Sequence, residues 1–423
     1  MSDIQAALTD AIGPNNISTD LPGRIDEILT TDARPACIAF PTTSAELGQV
    51  LALAHENGWR TLPIGQASKL TWGGLTKRID FIVSTARLNQ IVDHAIGDFT
   101  VTVQSGLKVG ELRSRLAEQG QFLAVDPAFA QAATVGGLVA TADAGSLRQR
   151  YGGLRDMLIG VQFARYDGKL ARAGGKVVKN VAGYDLMKLM TGSYGSLGVL
   201  SELTFRLYPQ MSNLRSLLLT GTLPAIQAAT AHIRLSGLTP IAFDVLSKQV
   251  MTSLGQSEHH GVVARFQGVL AGVEEQSDRL IKIAKTHEMS VQQLDGEADA
   301  SFWQASADLI QSDTLLCKLG LKSSEISSLL ALVDDVAPKA QVRMYASSGL
   351  GWAQNLPEEA VGKVRSHCEN HSGFLTLLQA PKPFKEKTDI WGYSGNALSV
   401  MSSIKHKFDP NGLLSPDRFV GNL

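Results

Sequence analysis

Residues 61–69 read Thr-Leu-Pro-Ile-Gly-Gln-Ala-Ser-Lys, a short apolar strand that runs directly into a turn of small residues. Holding a diphosphate requires a turn of backbone N–H groups that side chains do not obstruct. Gly65 frees the main chain, Ser68 offers a hydroxyl and Lys69 a positive charge. Pro63, Ile64, Gly65, Gln66, Ala67, Ser68, Lys69 and Leu70 are therefore the first candidate site. The same residue types also suit an ordinary strand-to-turn connection. The neighbouring sequence has to decide between the two.

Upstream, Thr43-Ser44-Ala45-Glu46 has the pattern of a capping box, with Thr43 as N-cap and Glu46 reaching back. Leu47, Val50, Leu51 and Ala54 then fall on one helical face, and Gly58 provides the stop. With an extended Cys37–Phe40 before it, the unit reads strand, helix, strand, loop. A short leading helix over Ile4–Ile12 ends at Gly13-Pro14. Downstream, Phe81–Val83 and Thr100–Gln104 read as strands, and a helix near Val109–Glu118 is closed by Gly120. The alternation continues to Leu207, and Pro209 closes the block. Beyond it, extended stretches at Gly261–Gln267, Thr314–Leu321, Val342–Ala346 and Phe374–Gln379 are separated by helical patterns at Glu274–His287, Ser324–Val336 and Pro357–Glu369. Four strands and three helices in that order predict an α+β unit with helices on one face of a sheet.

Two further runs of small residues carry chemistry. Ala133–Gly145, after Asp126-Pro127, contains the pair Gly136-Gly137 and is able to lie flat against a planar ring, or to start a close-packed helix. Gly174–Asp185 leads to Gly192-Ser193-Tyr194-Gly195-Ser196-Leu197-Gly198-Val199, but a strand pattern follows it. A nicotinamide Rossmann site needs a strand before, a helix after and Gly-x-Gly spacing, so such a site is not expected here.

Taken together, the 63–69 loop, the Thr134–Gly137 glycine pair, the turn Tyr151-Gly152-Gly153-Leu154-Arg155-Asp156 and Gly192–Leu203 resemble the vanillyl-alcohol-oxidase-type, or PCMH-type, FAD-binding domain. Within that superfamily, Gly175–Asp185 is similar to the signature of the glycolate oxidase FAD-binding subunits, as are Trp391-Gly392 and the closing Phe408–Phe419. The resemblance implies an α+β fold: a two-subdomain PCMH-type FAD-binding domain plus an α+β cap domain with an antiparallel sheet. It implies non-covalent FAD, because Gln66–Leu70 holds neither the histidine nor the cysteine through which some relatives attach the flavin. It places Gly65–Lys69 at the FAD pyrophosphate, and Thr134, Gly136 and Gly137 beside the flavin or its ribityl chain. Gly198 and Val199 fall toward the adenine; Pro127, Val135, Thr141 and Gly145 complete the cofactor set, with Asn180 and Tyr184 as weaker members. Relatives that oxidise 2-hydroxy acids unaided carry a histidine-containing segment whose nearest counterpart, Tyr345–Gly351, holds neither histidine nor acid. The catalytic residues are therefore unassigned. The implied activity is oxidation of glycolate, or of a similar small 2-hydroxy acid such as D-lactate. The implied partners are a second FAD-binding subunit and an iron–sulfur subunit. A non-catalytic relay subunit and a standalone oxidase are the alternatives.

Composition agrees with this reading. Across 423 residues, 39 basic side chains balance 40 acidic ones, which gives no electrostatic reason for a nucleic-acid partner. The three cysteines, Cys37, Cys317 and Cys368, are too scattered to ligate an iron–sulfur cluster. No apolar run approaches the roughly twenty residues a membrane span needs. A cytoplasmic protein, membrane-associated only through partners, is expected. His367 and His371 share a helix face without a third ligand, and no metal is expected. Trp303, Trp352 and Trp391 suit core packing or a pocket wall. The expected domains are a lead-in over 1–34, the FAD-binding domain over 35–209, the cap over 210–387 and a returning segment over 388–423.

Overall fold

The computed structural model describes residues 3–176, 183–310 and 313–423. Among them the strands form three main sheets. The first joins β1 (Ile17–Ser18), β2 (Ile38–Ala39), β3 (Thr61–Ile64) and β4 (Phe81–Ser84) in the order β1-β2-β4-β3, with β2, β4 and β3 mutually parallel. Parallel neighbours need a crossover, and helix α2 (Ser44–Asn57) is the one between β2 and β3. Its apolar face, Leu47, Val50, Leu51 and Ala54, packs with Leu8 and Ile12 of α1 (Asp3–Ile12) against Phe81 and Val83. The cap differs from the expected box in one detail. Thr43 accepts from the Glu46 N–H (3.1 Å), but the Glu46 carboxylate takes the N–H of Thr42 (2.7 Å), one residue further out.

The second sheet is antiparallel, in the order β5 (Ile91–Ala95), β6 (Thr100–Gln104), β10 (Val199–Arg206), β8 (Leu158–Ala164), β9 (Leu170–Gly174). Helices α3 (Val109–Ala117) and α4 (Val135–Thr141) cover it through Leu112, Leu116, Val135, Leu138 and Val139. A short pair, β7 (Gln121–Phe122) with β11 (Tyr208–Pro209), closes this half.

The third sheet has eight antiparallel strands. β12 (Asn213–Gly221), β13 (Ala242–Leu246), β14 (His260–Gly268), β15 (Ser290–Asp295), β16 (Leu316–Gly320), β17 (Gln341–Tyr345), β18 (Leu350–Gln354) and β19 (Phe374–Gln379) lie in the order β15-β12-β14-β13-β17-β18-β16-β19. Alternate side chains point to opposite faces. Leu217 and Leu219 of β12 join a core formed with the helices Leu223–Leu235, Leu270–Thr286, Ile326–Val336 and Glu358–Asn370. Leu218 between them turns to the other face, where Val263, Leu316, Trp352 and Leu378 meet Trp72 and Ala128 of the first half. That second interface positions the site.

Four of these strands escape the sequence pattern. β12 contains the unbroken run Leu217-Leu218-Leu219, because both of its faces are covered. β13 is buried throughout yet contains Asp244, and β15 is a mostly exposed polar edge strand recognisable only by its pairing with β12. β18 carries Gly351 and Trp352 and returns from a tight turn at Ser347–Gly349. The three cysteines are buried and unpaired. No helix among the described residues is long and apolar enough to cross a membrane.

Candidate active site: a cofactor slot opening onto a large cavity

β3 ends at Ile64 and delivers the Gly65–Leu70 turn to one wall of a narrow slot of about 120 Å³. The opposite wall is the start of α4, where Thr134 caps the helix by accepting from the Gly137 N–H (3.2 Å). The two walls touch: a β-carbon at Gly65 would collide with Oγ1 of Thr134 and come within 2.8 Å of its Cγ2. Gly136 is also held close, against Ser105, whose carbonyl would lie 2.8 Å from an added β-carbon. The Ser84 hydroxyl donates to the Gly65 carbonyl (3.0 Å) and fixes the turn from below. Ala67 takes a left-handed backbone, with φ 58°, in the middle of it.

Pro63, Ile64, Gly65, Gln66, Ala67, Ser68, Lys69, Leu70, Thr134, Gly136, Gly137, Thr141, Gly198 and Val199 all line this slot. Pro127 and Gly145 line the adjoining cavity instead. Val135 lines neither; it is fully buried in the core beneath α4, because the helical turn that brings Gly136 to the slot turns its predecessor inward. Within the 175–185 signature, Val177–Ala182, including Asn180, lie outside the described residues, and Tyr184 is 89% exposed.

The charge at Lys69 is not free. Its ammonium lies 2.6 Å from the Asp143 carboxylate and 5.1 Å from the centre of the Trp72 ring, with only 6% of the side chain exposed. Trp72, Thr85, Ser105, Tyr194, Gly195 and Arg418 also line the slot, and sequence reasoning missed all six. Trp72, Thr85 and Ser105 belong to no local motif; Tyr194 and Gly195 fall in the Gly192–Leu203 run and Arg418 in the closing Phe408–Phe419 segment, but none of the three was singled out there as a cofactor contact. The fit to a flavin nucleotide rests on the glycine-walled cradle and on an unused donor. Trp72 Nε1 is buried without a hydrogen-bond partner among the described residues.

At Trp72, Thr141 and Tyr194 the slot continues into a cavity of about 810 Å³ between the 126–148 segment and the inner face of the eight-stranded sheet. Trp303, Trp352 and Trp391 line it, so their role is wall rather than core alone. The guanidinium groups of Arg265 and Arg343 each stack 5.2 Å from the Trp303 ring. Beneath the cavity lies a buried polar network. Arg343 donates from Nε (2.9 Å) and Nη2 (2.8 Å) to Asp244, and also to the hydroxyls of Ser146 (2.8 Å) and Ser306 (2.6 Å). Asp126 accepts from the N–H groups of Ser146 (2.7 Å) and Leu147 (3.2 Å). Burial pushes the Asp126 carboxyl up to about 6, against the pull of Arg343. Burial likewise raises the Tyr345 phenol well above its ordinary value.

Lys318, on β16, faces the same cavity. Its ammonium makes no hydrogen bond or ion pair among the described residues, and burial lowers its pKa while Asp143 partly restores it. No histidine among the described residues lines the cavity.

Residues 35–174 match the family described as FAD binding domain. The fold matches the solved structure of p-cresol methylhydroxylase with substrate bound at a TM-score of 0.79, with 13% identity over 98% of this chain and 96% of that one. With the slot and cavity just described, the chain is an FAD-dependent oxidoreductase of PCMH-type fold. Among curated relatives, the glycolate oxidase subunit GlcD of Bacillus subtilis (strain 168) is 23% identical and is matched over 98% of this chain and 96% of its own length. The glycolate oxidase subunit GlcE of Escherichia coli (strain K12) is 40% identical over a shorter stretch, 28% of this chain and 35% of that one.

Proposed function

We propose that the chain is the FAD-binding subunit, of GlcE type, of a glycolate oxidase complex. In this reading it oxidises glycolate, or a similar 2-hydroxy acid such as D-lactate, to the 2-oxo acid and passes electrons to a second flavin subunit and an iron–sulfur subunit. The reading takes support from the two glycolate oxidase relatives and, above all, from one observation: the slot opens onto a cavity lined by a lysine, Lys318, that has no ion-pair partner among the described residues. The slot would hold non-covalent FAD: Gly65–Leu70 would hold its diphosphate, and Thr134, Gly136 and Gly137 would border the flavin or its ribityl chain. Bound FAD supplies a two-electron acceptor. The chain's own residues do the rest. The glycine cradle admits a flat ring, the aromatic walls exclude water, and Lys318 holds the substrate carboxylate.

Lys318→Met tests the last role. A charge-assisted hydrogen bond contributes about 1.5–3 kcal/mol, so half-saturation by glycolate should weaken about 10- to 100-fold while FAD content stays unchanged. An unchanged glycolate titration removes Lys318 from the site.

One arrangement favours the relay reading: among the described residues no histidine lines the cavity, and Asp143 is committed to Lys69. An anaerobic absorbance spectrum of the full chain, recorded before and after glycolate or D-lactate, separates the two. Bleaching of the flavin band establishes substrate oxidation in this subunit. A band that persists here, but bleaches when the partner subunits are present, establishes the relay.

A further inference from the structure

The Leu70–Gly74 turn, which follows the diphosphate loop, is built around two buried cations from distant parts of the chain. Arg418 donates from Nη1 to the Gly74 carbonyl (2.5 Å) and from Nη2 to the carbonyls of Leu70 (2.6 Å) and Trp72 (2.5 Å). Lys385 donates to the Gly73 carbonyl (3.1 Å) and to that of Thr71. The two residues are 5% and 6% exposed. Neither makes an ion pair with a carboxylate among the described residues. Glu27, the acid that acts on Lys385 from a distance, is engaged with Arg24 at 2.7 Å.

Carbonyl oxygens satisfy hydrogen-bonding needs but carry only partial charge, and a buried cation without a counter-ion is costly. Burial draws Arg418 down only to about 10, so it stays charged at neutral pH, whereas burial, with Arg418 adding, draws Lys385 down to about 7. Arg418 lines the slot directly. The slot's lysine, Lys69, is already neutralised by Asp143. The backbone around Arg418 is closely fitted. The Gly74 N–H donates to the Arg418 carbonyl (3.0 Å), the Ser415 N–H donates to the Thr61 carbonyl (2.9 Å), and Ser415 and Asp417 both take left-handed backbones.

We propose that Arg418 is the positioning residue for the FAD diphosphate: it locks the Leu70–Gly74 turn and supplies the net positive charge that Lys69 does not, with Lys385 as the second arm. The inference rests on the slot's being the FAD site. It makes the last few residues of the chain part of the cofactor site, although they lie more than 340 positions from the loop they hold.

The test is equilibrium binding of FAD, ADP and riboflavin to the flavin-stripped full chain, followed by flavin fluorescence or, for ADP, by competition. Arg418→Met should weaken FAD and ADP at least about tenfold, with riboflavin, which has no phosphate, changing less than about threefold. Arg418→Lys should recover most of the loss, and Lys385→Met should weaken FAD by a smaller factor. FAD affinity of Arg418→Met within about twofold of the parent, or an equal loss for FAD and riboflavin, overturns the proposal. Should Arg418→Met fail to fold, Arg418→Gln is read by the same criteria. Gly65→Ala separates this inference from the reading beneath it. Loss of FAD binding in Gly65→Ala but not in the Arg418 variants sinks only the inference, whereas unchanged FAD binding in all of them sinks the assignment of the slot.

Discussion

Gly65→Ala is expected to give a folded protein that carries no flavin as purified. The β-carbon would enter space already held by the Thr134 side chain, and Thr134 is tied in place because it caps α4 through the Gly137 N–H. Relief requires either moving the turn away from α4, which widens the slot, or rotating Thr134, which uncaps the helix beside Gly136. Overpacking of this kind costs about 1–3 kcal/mol, and nearly all of it falls on the geometry of the cofactor site. A drop in FAD affinity of about 10- to 100-fold follows, with little change in the far-ultraviolet circular dichroism. Flavin content of the purified protein and titration with added FAD measure it. Full flavin loading in Gly65→Ala would show that the Gly65 turn does not hold the cofactor.

Arg343→Met should destabilise the chain more than any single change in the slot. The guanidinium is the counter-ion of Asp244, which has no exposed surface, and it also binds Ser146 of the first half and Ser306 of the second. Burial already raises the Asp244 carboxyl, and Arg343 is the main influence opposing that rise. Removing one partner of such a pair costs about 3–5 kcal/mol, because the remaining charge is left buried and uncompensated. For a chain of 423 residues this corresponds to a fall in Tm of about 3–6 °C in thermal denaturation. Adding Asp244→Asn should return much of the loss, since a neutral amide at that position no longer requires a cation. If the double variant melts no higher than Arg343→Met alone, the loss comes from packing against Trp303 rather than from the ion pair.

The two variants fall on opposite sides of what local sequence reveals. The 63–70 turn was legible as a loop of small residues after a strand because a contiguous run of that kind leaves a local pattern. The same holds for the Gly136-Gly137 pair, the Thr43 cap, the helix face over 47–54 and the strands at 81–84 and 100–104, each specified by residues a few positions apart. Half of the large sheet was not legible. Strands covered on both faces, such as Asn213–Gly221, lose the alternation that marks a strand, and the edge strand Ser290–Asp295 exists only through its pairing.

Sequence by itself determined that this protein presents a small-residue loop and a glycine pair suited to FAD, in an α+β chain with cysteines too few and scattered to hold an iron–sulfur cluster. Tertiary structure alone decided how charge is distributed around them. It paired Lys69 with Asp143, 74 positions away, and set Arg418 and Lys385 beneath the Leu70–Gly74 turn. It also buried Arg343 against Asp244 and turned the tryptophans and Lys318 toward one cavity. The physical reason is that hydrophobic periodicity and capping act within a few residues along the chain. The partner of a buried charge, in contrast, is chosen by which distant segments the packed sheets bring within about 3 Å, where desolvation makes every unpaired ion costly.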